Sequence, residues 1–162
     1  MPDVKRGAWY IGEWGFWGWA ETDIKLVGFV IGSIAFFSAS QEGSMVIGDH
    51  PHLAALIILA LLTLVAVVLI AVRTGQRELF AIGFSFANAT GHAALLDAML
   101  WDPEKTTLPI LFALCYILGG LAKIRFLQMS GYTEGGQSTE SMLRFTWGVN
   151  AVYALFIVLL LV

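Results

Sequence analysis

Apolar residues occupy five long stretches of the chain, and short polar segments separate each stretch from the next. A helix needs about 20 predominantly apolar residues to cross the hydrocarbon core of a membrane, and each stretch is close to that length. The predicted spans cover residues 22–40, 52–73, 78–100, 107–127 and 142–162. The pattern therefore predicts an all-α fold, a polytopic integral membrane bundle of five transmembrane helices.

The composition supports this class. Of the 162 residues, 58% are hydrophobic and only 13% are charged, with a mean hydropathy of +0.78, whereas soluble domains carry about 25% charged residues. No basic tail is present, so no nucleic-acid partner is expected. The single cysteine, Cys115, excludes an internal disulfide and is expected to be a small packing residue.

Lysine and arginine fall almost entirely on one side of the predicted membrane. Cytoplasmic segments are enriched in these residues. With the N-terminus inside, eight basic residues lie on the inner side: Lys5, Arg6, Lys25, Arg73, Arg77, Lys123, Arg125 and Arg144. Only Lys105 lies outside. The distribution predicts a cytoplasmic N-terminus and an outer C-terminus in a bacterial-type inner membrane. Membrane lipids are the expected partners, because a basic rim suits anionic head groups.

Residues 1–21 precede the first predicted span and form an aromatic arm. Its rings belong to Trp9, Tyr10, Trp14, Phe16, Trp17 and Trp19. Tryptophan and tyrosine favour the membrane–water interface, so we expect an interfacial anchor. The alternative is a lid over an apolar ligand or over a partner subunit. Four glycines within the arm argue against a stiff amphipathic helix.

Small residues recur at steps of three and four along the third span. They are Gly83, Ala87, Gly91, Ala94 and Ala98, and they share one helix face. Small residues let helix backbones approach closely in lipid. The pattern predicts that the third span is the centre of the bundle, with spans one, four and five packed on it. The second span, which has no glycine, is expected to face outward.

Polar side chains in the middle of the spans are the candidate functional residues. Asn88 and His92 stand four positions apart, on one face of the third span. At matching depth the fourth span carries Tyr116, and the fifth carries Asn150 and Tyr153. Intramembrane polar residues indicate a functional site by default, although they also serve as hydrogen bonds that join helices. We therefore predict a convergent cluster that either binds a ligand or joins helices.

Metal and cofactor chemistry receives little support from the sequence. A bis-histidine haem would need a second histidine in mid-span, and His50 and His52 lie outside the spans. These two histidines, with Asp49, have a spacing that also suits a simple turn into the second span. No metal site is predicted, and the identity of any cofactor stays open.

Three functions remain for a bundle without a nucleophile motif. The first is binding of an apolar ligand or lipid, or service as an accessory subunit of a membrane complex. The second is an enzyme acting on a lipid-soluble substrate, with His92 as acid or base. Transport is less favoured, because no broken helix pair and no mid-span carboxylate is visible.

Overall fold

The computed structural model of the chain describes residues 15–39, 51–74, 77–131 and 138–162, and every regular element in these ranges is an α-helix. The helices are α1 (Gly15–Ala39), α2 (Pro51–Thr74), α3 (Arg77–Trp101), α4 (Thr107–Ser130) and α5 (Thr139–Leu161). Each is long and apolar enough to cross a membrane. The prediction of five helices with the length and apolar content of membrane spans is confirmed for this part of the chain, and the helices indicate a membrane-integral protein.

Helix α1 begins at Gly15, whereas the sequence pattern placed the start of the first span at residue 22. The last residues of the predicted aromatic arm, Phe16, Trp17 and Trp19 among them, therefore form the first turns of the helix. Glycine weakens a helix by only about 1 kcal/mol, and tertiary contacts here offset that cost: Trp19 meets Phe80 of α3 edge-on. The other rings of the arm, of Trp9, Tyr10 and Trp14, lie outside the described residues.

Local hydrogen bonds define the end of α4 and the start of α5. Gly131 adopts a left-handed conformation (φ 61°), and its N–H donates to the carbonyl of Leu127 at 3.0 Å. The hydroxyl of Ser138 accepts from the N–H of Ser141 at 3.2 Å and caps α5. Both are common solutions for unpaired groups at helix ends. The two helices extend three residues further into the intervening segment than the hydropathy pattern indicated.

The closest backbone contacts link the helices in the order α2, α3, α1, α4, α5, and side chains of α3 also reach α4 and α5 directly. Helix α1 lies between α3 and α4, α2 packs on α3, and α5 packs on α4. Of the spans predicted to pack on the third span, span one packs closely on α3, whereas spans four and five reach it through the side chains of Tyr116 and Tyr153. The closest partners of α3 are α1 and α2, and α1 packs closely on both α3 and α4.

Two glycines explain why α1 takes the middle position. A Cβ atom on Gly32 would collide with the backbone oxygen of Gly91 on α3, and it would also lie 3.2 Å from the ring of Phe112 on α4. A Cβ atom on Gly28 would lie 2.7 Å from the ring of Tyr116 on α4. Because side chains at these positions would separate the helices, the glycines let α1 approach both neighbours at once.

The predicted small-residue face of α3 is confirmed. All five of its members are buried: Gly83, Ala87, Gly91, Ala94 and Ala98. A Cβ atom on Gly91 would lie 2.9 Å from the Cα atom of Phe29 on α1, and one on Gly83 would collide with Val67 on α2. The face therefore serves two partners, α2 near one end of the helix and α1 nearer the other.

Helices α2 and α5 each pack closely on one neighbour and leave much of their surface outside the bundle. Large apolar side chains cover that surface, including Leu62, Leu69, Val152, Leu155 and Leu159. The exposure of α2 agrees with the prediction for the second span. Helix α5 is the least buried of the five, so it is held mainly by its contacts with α4.

Replacing Gly32 with alanine tests the close approach of α1 to α3. The added methyl group meets backbone, which cannot rotate away, so Gly32→Ala is expected to lower the free energy of unfolding by about 1–3 kcal/mol. Thermal unfolding in detergent measures the change. Gly148→Ala is the matched control, because nothing lies within 4 Å of a Cβ atom at Gly148. Equal stability of the two variants would contradict the packing described here.

Candidate functional site

His92 is held in one orientation by the helix that carries it. Its Nδ1 atom lies 2.7 Å from the backbone oxygen of Asn88, one turn earlier on α3. A carbonyl oxygen can only accept a hydrogen bond, so Nδ1 carries the proton and donates. In the neutral ring, Nε2 is then an acceptor. Its partner is the hydroxyl of Tyr153 on α5, at 2.5 Å.

Asn88 links the histidine to a third helix. The hydroxyl of Tyr116 on α4 donates to the side-chain oxygen of Asn88 at 2.5 Å. Asn88 thus fixes His92 through its backbone oxygen and accepts a hydrogen bond from Tyr116 through its side-chain oxygen. The chain of hydrogen bonds joins α3 to both α4 and α5, and each such bond in a membrane is worth roughly 0.6 kcal/mol on average.

Aromatic rings enclose one side of these polar groups. Tyr116 stacks between Phe112, with ring centroids 4.7 Å apart, and Tyr153, at 5.1 Å. The imidazole of His92 meets this stack edge-on, 4.8 Å from Phe112 and 4.6 Å from Tyr116. Stacked and edge-to-face pairs are both favourable arrangements. Together these contacts fix the positions of the histidine nitrogens and of the two tyrosine hydroxyls.

Asn150 lies apart from this network. Its amide Nδ2 donates to the backbone oxygen of Ile117 on α4 over 3.4 Å. Its Oδ1 rests against Gly120, where a Cβ atom would collide with it, and this oxygen has no hydrogen-bond partner in the part of the chain that the structure describes. Of the five predicted site residues, the structure brings Asn88, His92, Tyr116 and Tyr153 together, whereas Asn150 joins α5 to α4.

The four clustered residues contact one another directly, through hydrogen bonds that join helices. They are not all buried, however. Tyr116 is buried, with 5% of its surface exposed, whereas Asn88, His92 and Tyr153 are each partly exposed. Because α5 packs mainly on α4, the His92–Tyr153 pair lies at the open edge between α3 and α5. The cluster is therefore both a helix junction and a set of polar atoms close to the bundle surface.

A small cleft lies elsewhere, at the end of the bundle where α1 and α3 finish and α4 begins. Its volume is about 30 Å³, which suits roughly one water molecule. Residues of three helices and the α3–α4 loop line it, including Ala35, Ala98, Asp102, Lys105 and Pro109. None of the predicted site residues lines this cleft.

His52 does not belong to a metal-binding group among the described residues. His52 is exposed near the start of α2, and Asp49 and His50 lie outside the described ranges. Among the described residues, no group of three or more histidine, cysteine, aspartate or glutamate side chains is placed to hold a metal ion. Cys115 is a free, partly exposed thiol on α4.

One residue of the site was missed in the sequence. Phe112 completes the aromatic stack, and it lies one helical turn before Tyr116 on the same face of α4. That spacing could have identified Phe112 as a neighbour of Tyr116. Phenylalanine is so frequent in this chain, with 11 residues, that the position did not stand out from the other apolar residues.

Comparison of the chain with protein-family models, with curated proteins and with solved structures finds no match in any of the three.

Proposed function

We propose that this protein binds a lipid-soluble molecule that carries a hydroxyl group, and that the hydroxyl lies between His92 and Tyr153. The observation that carries the proposal is the hydrogen bond between these two side chains. It bridges α3 and α5 at a partly exposed edge of the bundle. A group inserted between the two side chains would meet one acceptor, Nε2 of His92, and one donor, the hydroxyl of Tyr153.

The chemistry of the pair favours a hydroxyl group over other polar groups. The Nε2 atom of His92 accepts, because Nδ1 holds its proton against the backbone of Asn88. The hydroxyl of Tyr153 donates. A ligand that replaces this bond must donate to His92 and accept from Tyr153, and a single hydroxyl does both. A carbonyl could accept from Tyr153 but would leave the histidine nitrogen unpaired, which is costly in an apolar setting.

The surroundings favour an apolar body for the same ligand. Phe112 and Tyr116 stack beside His92 but are themselves buried. The apolar surface open to a ligand is that of the exposed aliphatic side chains of α5, which continue beyond Tyr153. Since α5 is the least buried helix, a small outward shift of α5 opens a lateral path from the lipid. A long hydrocarbon or isoprenoid chain with a terminal alcohol has the required form.

An enzymatic role for His92 is the second candidate. The same Nε2 atom that accepts from Tyr153 can take a proton from a substrate hydroxyl, because a neutral imidazole is a suitable base near pH 7. The orientation of the ring by Asn88 favours this role, since a catalytic base needs a defined position. Binding of a hydroxyl compound is common to both candidates, so it is tested first.

Binding of farnesol, a long-chain isoprenoid alcohol, tests the proposal. We expect the purified protein in detergent to bind farnesol more tightly than farnesyl methyl ether, which cannot donate to His92. In the wild type the hydroxyl exchanges one hydrogen bond for two. The double variant His92→Phe/Tyr153→Phe removes both partners of the hydroxyl while keeping aromatic rings, and loss of one net hydrogen bond of about 1 kcal/mol corresponds to roughly five-fold weaker binding. Native mass spectrometry measures both. An extract of the purified protein, analysed for lipid-soluble alcohols, searches for the natural ligand.

Thr146→Val is the matched control for this experiment. Thr146 is a buried hydroxyl of α5 that donates to the backbone of its own helix, so its removal leaves farnesol binding unchanged. Equal binding of the alcohol and the ether, or equal loss in the two variants, would contradict the proposal. Co-purification of another membrane protein, without any bound alcohol, would favour an accessory subunit instead.

We further propose that the protein lies in a bacterial cytoplasmic membrane with its N-terminus inside and its C-terminus outside. The bias of lysine and arginine supports this orientation. It places the α3–α4 loop outside and the start of α5 inside. Glu104 in that loop and Arg144 on α5 are both exposed, so they serve as reporters of the two sides.

Cysteine labelling tests the orientation. In a Cys115→Ala background, which removes the single native thiol, Glu104→Cys is expected to react with a membrane-impermeant maleimide on intact cells. Arg144→Cys is expected to react only after the cells are lysed. The reverse pattern would show that the chain has the opposite orientation.

A further inference from the structure

A carboxylate shared by two lysines lies between α1 and α4, at the end of the bundle where α1 begins. The Nζ atom of Lys25 lies 2.8 Å from Oε1 of Glu21, one turn earlier on α1. The Nζ atom of Lys123 on α4 lies 3.9 Å from the same oxygen. All three side chains are largely buried, with 15%, 16% and 28% exposure for Lys25, Glu21 and Lys123.

The backbone of α4 is shaped to hold Lys25 in this place. A Cβ atom on Gly119 would lie 2.8 Å from Cγ and 3.2 Å from Cε of Lys25. The lysine stem therefore lies flat against a glycine of the neighbouring helix, and its ammonium group points back toward Glu21. A freely mobile surface lysine would not need this space, so the position of Lys25 is built into the α1–α4 contact.

The charges of this cluster do not balance. Two ammonium groups and one carboxylate leave a net charge of +1. Within the described ranges, Glu21 is the carboxylate recorded within 4 Å of either lysine, and Asp23 is exposed on another side of α1. A partly buried excess charge is unfavourable unless an anion or water compensates it. Lys123, at the longer distance, is the less fully paired of the two cations.

We infer that Lys25 and Lys123 bind the phosphate of an anionic phospholipid, at a site separate from the His92–Tyr153 pair. A phosphodiester carries one negative charge, which matches the excess of the cluster. Its oxygens accept hydrogen bonds from ammonium groups. The acyl chains then lie along the apolar surface of α1 and α4, where exposed side chains such as Val27, Leu118 and Leu121 are available.

A lipid suits this place better than a free phosphate ion. The cluster lies within helices that are long and apolar enough to span a membrane, with Lys25 ten residues into α1. Lysine side chains at such depths reach toward the head-group region. Cationic residues near a membrane surface attract anionic lipids by about 1 kcal/mol each. Free phosphate has no apolar part to gain from the adjoining helix surface.

Lipid titration by native mass spectrometry tests the inference. The wild-type protein in detergent is expected to bind phosphatidylglycerol at least five-fold more tightly than phosphatidylcholine of the same chain length. Lys123→Gln is expected to lose about five-fold in phosphatidylglycerol affinity. Glu21→Gln is expected to bind phosphatidylglycerol more tightly than the wild type, because it removes the carboxylate that competes with the phosphate.

Arg125→Gln is the matched control. Arg125 is an exposed cation on the same helix, two residues from Lys123 and on another face, so its loss is expected to leave the affinity within two-fold of the wild type. Circular dichroism of each variant checks that the helices are retained. The gain expected for Glu21→Gln keeps the test decisive, since a misfolded variant does not gain affinity.

Three results would overturn the inference. Equal affinities for the two lipids would show that the cluster does not select an anionic head group. Equal losses for Lys123→Gln and Arg125→Gln would show that only the general positive charge attracts the lipid. Displacement of phosphatidylglycerol by millimolar inorganic phosphate at constant ionic strength would show that the site is one for a free anion. None of these results depends on farnesol binding at His92, so failure here is distinguishable from failure of the proposed function.

Discussion

The close approach of α1 to both α3 and α4 is the constraint on which the rest of the structure depends. In lipid there is little hydrophobic driving force between apolar helices, so packing contacts and hydrogen bonds must hold them together. Gly28 and Gly32 allow backbone and ring atoms of both neighbours to meet one helix. This contact sets the depth of Tyr116 and Phe112 relative to His92, and through them the geometry of the polar cluster.

The polar cluster and the lysine cluster are consequences of the same α1–α4 contact. Tyr116 lies against Gly28, and one turn further along α4 Gly119 lies against Lys25. Moving α1 along α4 by one turn would bring the lysine stem toward the aromatic ring. One end of the helix pair therefore carries excess positive charge, and the middle carries neutral hydrogen-bonding groups. This order suits a protein that contacts charged head groups at the membrane surface and apolar lipid chains deeper in the membrane.

Much of the fold follows from the sequence, because span length and apolar content depend on local composition. The five helices and the small-residue face of α3 were predicted in this way. The order of the helices was not, since Gly28–Gly32 and the face of α3 have equivalent patterns and nothing local says which helix lies between two others. The start of α1 was missed because glycine and tryptophan obscured a helix that tertiary contacts stabilise.

The candidate site was predicted in part for similar reasons. Depth along a span can be counted, so Asn88, His92, Tyr116 and Tyr153 were correctly placed at one level. Rotation about the helix axis is harder to predict, and it separates Asn150 from Tyr153 although both are on α5. The Glu21–Lys25–Lys123 cluster depends on a contact between distant segments, and the charges of α1 were interpreted only as a signal of orientation.

Solid-state NMR of the protein labelled with ¹⁵N at histidine tests the geometry of the site most directly. The chain has three histidines, and comparison with His92→Ala identifies the signals of His92. The structure predicts a neutral ring with a protonated Nδ1 and an unprotonated Nε2, whose chemical shift changes in Tyr153→Phe. A ring protonated at Nε2 instead, or an Nε2 signal unaffected by Tyr153→Phe, would contradict the role of Asn88 in orienting His92 toward Tyr153.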